Sequence, residues 1–332
     1  MAPKLRPRKK QKTEIQRTTG PAPPGSTGFA DLPPELLLEI VNHLPLFPVP
    51  CNHLDSPMKE STNTRQEVLM VLVQLCCSFR RALVHHLWEE IILCSLHGGQ
   101  RNTTTNPAWI RHSCGLDQGP YCASCERYLA FEIVSQLETV TTIVPEFARC
   151  LSLLPNLTTL QLFYNLSAHA LVRDIQKAFS RYQYPNIRTL VIPVDTGSLK
   201  VLKACSNLRH LHFTSIKYFY TMDICPTVEK FTGESLPSLR PILFRSLPNL
   251  KYFQMSTMGS SYHPYPHSYA HYAEALSLLR LLEVVEIAII QEEAKEEAKA
   301  LRGSVASVLA RMPVVSGIKR RVEVCDYTTR SS

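Results

Sequence analysis

The chain has 332 residues, 45% of them hydrophobic and 19% charged, which is typical of folded protein and long enough for about two domains. No apolar run reaches the ~18 residues of a membrane helix; the run from Leu281 to Ile290 is interrupted by Glu283 and Glu286. The basic N-terminus lacks the apolar segment of a secretion signal. We therefore expect a cytoplasmic or nuclear protein, or one in both compartments, with its 11 cysteines reduced.

The net charge of +8 is concentrated at the N-terminus, where residues 1–17 contain seven basic side chains and one acidic side chain. The rest of the chain is nearly neutral, so a nucleic-acid-binding fold is not indicated. Pro7 to Lys12 resembles a short nuclear-localisation signal, and the alternative is a solvated tail. Because residues 1–28 are almost free of large apolar side chains, they are predicted to be disordered.

A helical unit is predicted over residues 29–93, and its first helix follows Leu32 and Pro33. Proline suits a first helical turn because no intrahelical donor is needed there, and Glu35 complements the helix dipole. One apolar face then follows at helical spacing: Leu36, Leu37, Ile40, Val41 and Leu44. The prolines between Leu46 and Thr64 predict an inserted loop.

A second apolar stripe predicts either one continuous helix or two helices with a shared facing: Val68, Leu72, Leu75, Phe79, Leu83 and Leu87. Cys76-x-x-Phe79-Arg80 lies within this stripe, and Leu87-Trp88 closes it. These features and the Leu-Pro opening resemble the F-box, a module of three short helices. The predicted loop is longer than the usual connection in that family.

The resemblance implies that the helical unit binds a Skp-type adaptor, which bridges to a cullin. The residues that match the family pattern, and are expected to contact the adaptor or to form the unit's own core, are Leu32, Pro33, Leu36, Ile40, Leu44, Leu72, Leu75, Cys76, Phe79 and Trp88. Sequence alone does not separate contact from core, because both require apolar side chains. The alternative is a helical cap that covers one end of the repeats described below.

Residues 94–145 are predicted to be a linker or insertion with a helix over Arg127 to Glu138. Cys and His side chains at close spacing raise the possibility of a zinc site: His112, Cys114, Cys122 and Cys125. The alternatives are incidental cysteines in an irregular loop, which is the favoured interpretation, and a redox pair, which lacks the expected strand–helix–strand surroundings. No metal site is therefore predicted.

Residues 146–325 contain six similar blocks, whose second positions are spaced 20 to 32 residues apart: Asn156, Asn186, Asn207, Thr227, Asn249 and Leu281. Their L-x-x-L-x-L pattern resembles the strand of leucine-rich repeats, notably the irregular repeats that follow an F-box in large fungal families. The inward residues expected to share one core are Leu160, Leu162, Leu190, Ile192, Leu211, Phe213, Phe253 and Met255. The resemblance implies a curved solenoid, so the predicted fold class is α/β.

The residues between the inward ones are expected on the concave face, where a target protein would bind. The candidates are Gln161, Phe163, His210, His212, Tyr252 and Gln254. Tyr262 to Tyr272 is either a binding loop or a flexible insertion. After it, Gln291 to Arg302 predicts a solvated helix face, with Ala298, Leu301, Val305 and Leu309 turned toward the repeats.

The sequence contains no phosphate-binding glycine loop, zinc-protease motif or nucleophile elbow, so neither a catalytic residue nor a cofactor is predicted. The two resemblances together predict a non-enzymatic substrate-recognition subunit of a Skp–cullin–F-box ubiquitin ligase, with no nucleic-acid or membrane partner. The alternatives are a leucine-rich-repeat scaffold without a ligase, and a metal-dependent or redox enzyme built around Cys114, Cys122 and Cys125.

Overall fold

The computed structural model describes residues 32–43, 63–75, 77–87, 89–94, 127–133, 137–164, 169–194, 198–216, 225–233, 241–257, 275–289 and 292–326. Several predictions fall outside these residues: the tail (1–28), the inserted loop up to residue 62, Leu44, Cys76, Trp88, the zinc candidates His112, Cys114, Cys122 and Cys125, and the segment 262–272.

The described part of the N-terminal region contains three helices: α1 (Pro34–His43), α2 (Asn63–Leu75) and α3 (Cys77–Leu87). The second apolar stripe therefore spans two helices. They enclose a small core that consists of Leu69, Leu72, Val73, Phe79 and Leu83, with Leu32, Val68, Ala82 and Leu87 packed against it. Arg80 of α3 donates from Nε to the backbone carbonyl of Val73 in α2, at 3.1 Å. This part of the chain thus has a core of its own.

Among the described residues, nine parallel strands form one open sheet in which the spatial order is the order along the chain. The strands are β1 (Glu90–Cys94), β2 (Tyr128–Ile133), β3 (Thr159–Tyr164), β4 (Thr189–Val194), β5 (His210–Ile216), β6 (Lys230–Gly233), β7 (Tyr252–Thr257), β8 (Val284–Ile289) and β9 (Arg321–Asp326). Because each strand pairs with the next one along the chain, the architecture is that of stacked strand–connection units.

Helices connect many of these strands: α4 (Leu137–Leu151), α5 (His169–Phe179), α6 (Ser198–Ala204), α7 (Pro241–Ser246) and α8 (Lys295–Arg311). Together with two 3₁₀ turns, Leu276–Leu278 and Glu292–Ala294, they contribute to a single hydrophobic core on one face of the sheet. All eight residues predicted to point inward belong to this core, from Leu160 to Met255, and none is more than 1% exposed. The predicted burial of Ala298, Leu301, Val305 and Leu309 in α8 is confirmed as well.

The helix predicted over Arg127 to Glu138 is wrong, because Tyr128–Ile133 is strand β2, between β1 and β3. The physical reason is burial on both faces: Leu129, Ala130 and Phe131 are all fully buried. A short apolar run without alternation does not distinguish a buried strand from a helix. With β1 and β9 as well, the sheet extends beyond the six predicted blocks on both sides.

Candidate interaction surfaces

The turns before β4, β5 and β7 are held by asparagine side chains that reach back to the preceding turn. Asn186 donates from Nδ2 to the Pro155 carbonyl at 2.6 Å, and Asn207 donates to the Pro185 carbonyl at 2.9 Å. Asn249 donates to Pro226 at 2.7 Å. This ladder gives a physical reason for the recurring Pro-Asn pair, since each asparagine satisfies a backbone acceptor that the strands do not use.

These asparagines form one row, which we call the asparagine row. A second row, which we call the charged row, lies two residues further along each block: Thr158, Arg188, Arg209, Glu229 and Lys251. The residue between the two rows is buried in every block, as with Leu157 and Ile187, whereas the residues of the rows are exposed or half-buried. Between them runs an open groove of about 720 Å³ at the N-terminal ends of the strands. We call it the turn groove.

The turn groove has an excess of positive charge, because its described lining contains three cations and one carboxylate. Glu229 accepts from both Arg209, at 3.0 Å, and Lys251, at 3.4 Å. The exposed guanidinium of Arg188 makes no ion pair or side-chain hydrogen bond with any residue that the structure describes. One cation of the groove is therefore uncompensated within the described structure.

His210 lies at the edge of this charged row, at the start of β5. Burial lowers the pKa of its imidazole below the ordinary 6.5, and the positive charge of Lys230 lowers it further. Glu229 acts in the opposite direction, and Arg209 lowers the pKa again. The lowered pKa favours the neutral imidazole, whereas the arginine and lysine side chains of this region carry positive charge.

The face of the sheet opposite the helices contains the predicted target-binding residues, but they differ widely in accessibility. Strand register aligns Gln161 with His212 in one row across the sheet, and both are buried, at 0% and 6% exposure. Tyr252, Gln254 and Phe163 are half-buried, and His210 is exposed. The alternation along the strands thus predicts on which face of the sheet these residues lie, but it does not predict how exposed each one is.

A polar cluster joins two of these candidates on strands β7 and β8. Gln254 donates from Nε2 to Glu286 Oε1 at 2.8 Å, and the Tyr252 hydroxyl donates to Glu286 Oε2. The Lys230 ammonium lies 4.3 Å from the centroid of the Tyr252 ring, in cation–π geometry. Glu286 is 6% exposed, so these contacts compensate for the burial of its carboxylate.

Gln161 is an unusual residue on this face, because neither its amide nitrogen nor its amide oxygen has a hydrogen-bond partner in the described structure. Its neighbours in the row are Ala130 and Val191, which offer no polar side-chain atoms. Leaving a buried amide unpaired costs about 1–3 kcal/mol.

We therefore expect Gln161→Leu to stabilise the chain by about 1–3 kcal/mol, since it removes the unpaired amide while keeping most of the side-chain volume. Urea unfolding followed by circular dichroism measures the change. Thr159→Leu, on the same strand and face but half-buried, is the control and should change the stability by less than the Gln161 substitution. A loss of stability in Gln161→Leu would mean that the amide is satisfied within the folded chain.

The residues implied by the F-box resemblance separate into two groups in the N-terminal helices. Leu36, Ile40 and Leu75 are exposed, at 51%, 37% and 60%, and Pro33 is also exposed. The second group belongs to the small core: Leu72 and Phe79 are buried in it, and Leu32 packs against it. Two further exposed apolar residues of α2, Met70 and Val71, were not predicted.

The helical part connects to the sheet through Glu89, which lies between α3 and β1. Its carboxylate contacts His86 Nδ1 at 3.1 Å and the Arg127 guanidinium at 3.5 Å. Its backbone carbonyl accepts the N–H groups of Arg127 and Tyr128, each at 3.0 Å. These contacts join the end of the last N-terminal helix to the first two strands.

No protein-family model matches the chain, and no curated protein is significantly similar to it. Within the described residues, no helix is both long and apolar enough to span a bilayer. The same residues contain no group of three or more His, Cys, Asp or Glu side chains placed to hold a metal ion.

Proposed function

We propose that this chain is the substrate-recognition subunit of a Skp–cullin–F-box ubiquitin ligase. In this proposal α1–α3 are the F-box, and they bind a Skp-type adaptor that bridges to a cullin. The strands from β1 to β9 form an irregular leucine-rich-repeat domain that binds the target protein. The chain itself has no catalytic centre in this proposal, and its role is to bring a target close to the ubiquitin-transferring subunits.

The observation that carries the proposal is the distribution of apolar side chains over α1 and α2. Helices α2 and α3 enclose a small core, yet α1 and α2 also expose Leu36, Ile40, Met70, Val71 and Leu75. Single exposed apolar residues are ordinary, but several on two short helices are typical of a protein interface. An F-box uses its apolar surface in this way, so the pattern supports the resemblance seen in the sequence.

The proposed mechanism is proximity. With the adaptor held at one end of the chain and the target held along the sheet, lysines of the target have a high effective concentration near the ubiquitin-loaded enzyme. The contacts of Glu89 with His86 and Arg127 support this mechanism, since they tie α3 to the sheet and so limit the range of positions that a bound target explores.

The test is co-purification of the full chain with a purified Skp-type adaptor, followed by mass spectrometry of proteins captured from cells. We expect a one-to-one complex with the adaptor, and a cullin among the captured proteins. Capture of other proteins with neither adaptor nor cullin would favour the alternative, a leucine-rich-repeat scaffold that acts outside a ligase. That outcome would remove the F-box proposal.

A further inference from the structure

We propose that the turn groove binds an extended, acidic segment of a partner protein. This site is separate from the target-binding residues predicted on the sheet face, and the inference is independent of whether α1–α3 bind an adaptor. Its basis is the chemistry of the two rows that line the groove.

The charged row supplies the cations that an acidic segment requires. Arg188, Arg209 and Lys251 are all exposed, and they lie on consecutive or alternate turns of the same edge. Glu229 forms ion pairs with Arg209 and Lys251, whereas the Arg188 side chain forms no ion pair or hydrogen bond with a described residue. A carboxylate entering the groove would pair with Arg188 first and compete with Glu229 for the other two cations.

The asparagine row supplies acceptors for a peptide backbone. Asn186, Asn207 and Asn249 use Nδ2 to bond the preceding turn, and their side-chain Oδ1 atoms make no hydrogen bond to a described residue. An extended peptide has a backbone N–H at almost every residue, so it can donate to this row of oxygens while its carboxylates face the cations. The groove thus matches both the backbone and the side chains of such a segment.

The dimensions of the groove also suit a peptide. Its lining runs from the turn before β3 to the turn before β8, which is five strand spacings, or roughly 24 Å at about 4.8 Å per spacing. That length accommodates about seven residues of extended chain at about 3.4 Å per residue.

The same features disfavour a nucleic acid in the turn groove. Its described lining contains no aromatic side chain on which a base would stack. A nucleic-acid backbone also has few donors for the asparagine oxygens, and the carboxylate of Glu229 would repel a continuous run of phosphates. A peptide with spaced acidic residues avoids both conflicts.

The test is fluorescence anisotropy of the full chain with a labelled peptide of alternating Glu and Ser. We expect saturable binding that weakens as salt is added, because solvent-exposed ion pairs are screened. The matched Gln-Ser peptide should bind much more weakly. Equal binding of the two peptides, or tighter binding of a single-stranded oligonucleotide, would overturn the proposal.

Two substitutions with opposite expected signs sharpen this test. Arg188→Glu should weaken binding of the acidic peptide by about tenfold, since it replaces an attraction with a repulsion at a partly screened site. Glu229→Gln should instead tighten binding by about two- to fivefold, since it frees Arg209 and Lys251 for the ligand. Circular dichroism confirms that each variant is folded.

Arg173→Glu is the matched control, because it makes the same change of charge on an exposed residue of α5 outside the groove lining. It should leave binding close to that of the wild type. If Arg173→Glu and Arg188→Glu weaken binding equally, or if Glu229→Gln weakens it, the turn groove is not the site. Adaptor capture by the same variants is measured separately, so failure here is distinguishable from failure of the ligase proposal.

Discussion

Replacing Leu36 and Ile40 together with aspartate should abolish capture of a Skp-type adaptor without unfolding the chain. Both side chains are on α1 and are partly exposed, at 51% and 37%, so a substantial part of each is available to an interface. Burying an apolar side chain of this size at an interface contributes about 1.5–3 kcal/mol. Because only about half of each side chain remains to be buried, losing both corresponds to a decrease in affinity of about 10- to 100-fold, and the buried carboxylates add a desolvation penalty.

The measurement is adaptor binding by surface plasmon resonance, with thermal unfolding followed in parallel. Val314→Asp is the matched control, because it makes the same chemical change at an apolar residue that is 94% exposed and remote in sequence from α1. It should bind the adaptor like the wild type. Undiminished binding by a folded Leu36/Ile40 double variant would exclude the exposed face of α1 from the interface.

Phe79 is a less informative residue to replace, although the F-box resemblance includes it. It is 1% exposed and lies in the small core with Leu69, Leu72 and Leu83. Truncating Phe79 would unfold the helices whether they bind an adaptor or only cap the repeats, so the result would not distinguish the two roles. Replacing exposed residues instead tests whether the helices bind a partner, because it leaves their core intact.

The repeat pattern predicted much of the sheet because two kinds of residue recur at fixed positions. Alternating apolar residues such as Leu160 and Leu162 are needed to share one core with the helices. Asparagine recurs in the turns because it bonds the preceding turn, as Asn186 does with Pro155 and Asn249 does with Pro226. Because the same contact is made in several repeats, the residues that make it form a pattern that can be recognised in one sequence.

Strands without such a turn were harder to predict. β2 (Tyr128–Ile133) has Arg127 before it instead of a Pro-Asn pair, and its apolar residues are buried on both faces. Its run therefore shows no alternation, and its sequence pattern predicts a helix. β9 (Arg321–Asp326) is mostly half-buried or exposed, so it also lacks the buried apolar repeat that identifies the central strands.

The candidate surfaces were only partly predictable, since exposure depends on neighbours that are distant in sequence. Alternation places Gln161 and His212 on the same face as His210, but it does not indicate that the first two are buried. The turn groove was missed for a related reason. Arg188 and Arg209 are separated by an ordinary leucine-rich stretch, and only the stacking of the turns brings them into one row.

The largest expected loss of stability comes from Phe253, where three elements of the core meet. Its ring stacks on Phe231 of β6 at a centroid distance of 5.7 Å, and it meets Phe244 of α7 edge-on at 5.5 Å. Phe253 is fully buried, so Phe253→Ala should cost about 3–5 kcal/mol, and Phe253→Leu, which keeps most of the volume, less than about 1.5 kcal/mol. Urea unfolding measures both, and a cost below 1 kcal/mol for alanine would mean that the core around β7 is loosely packed.

The second part of this prediction concerns which strands lose stability. In a stack of repeats each unit contacts only its neighbours, so the cost of a cavity is borne locally. Hydrogen exchange in Phe253→Ala should accelerate most in β6, β7 and β8, and least in β3 (Thr159–Tyr164), which is separated from β7 by three strands. Uniform acceleration along the sheet would instead indicate that the nine strands unfold as one cooperative unit. In that case a ligand in the turn groove, which spans several of these turns, would stabilise the whole domain.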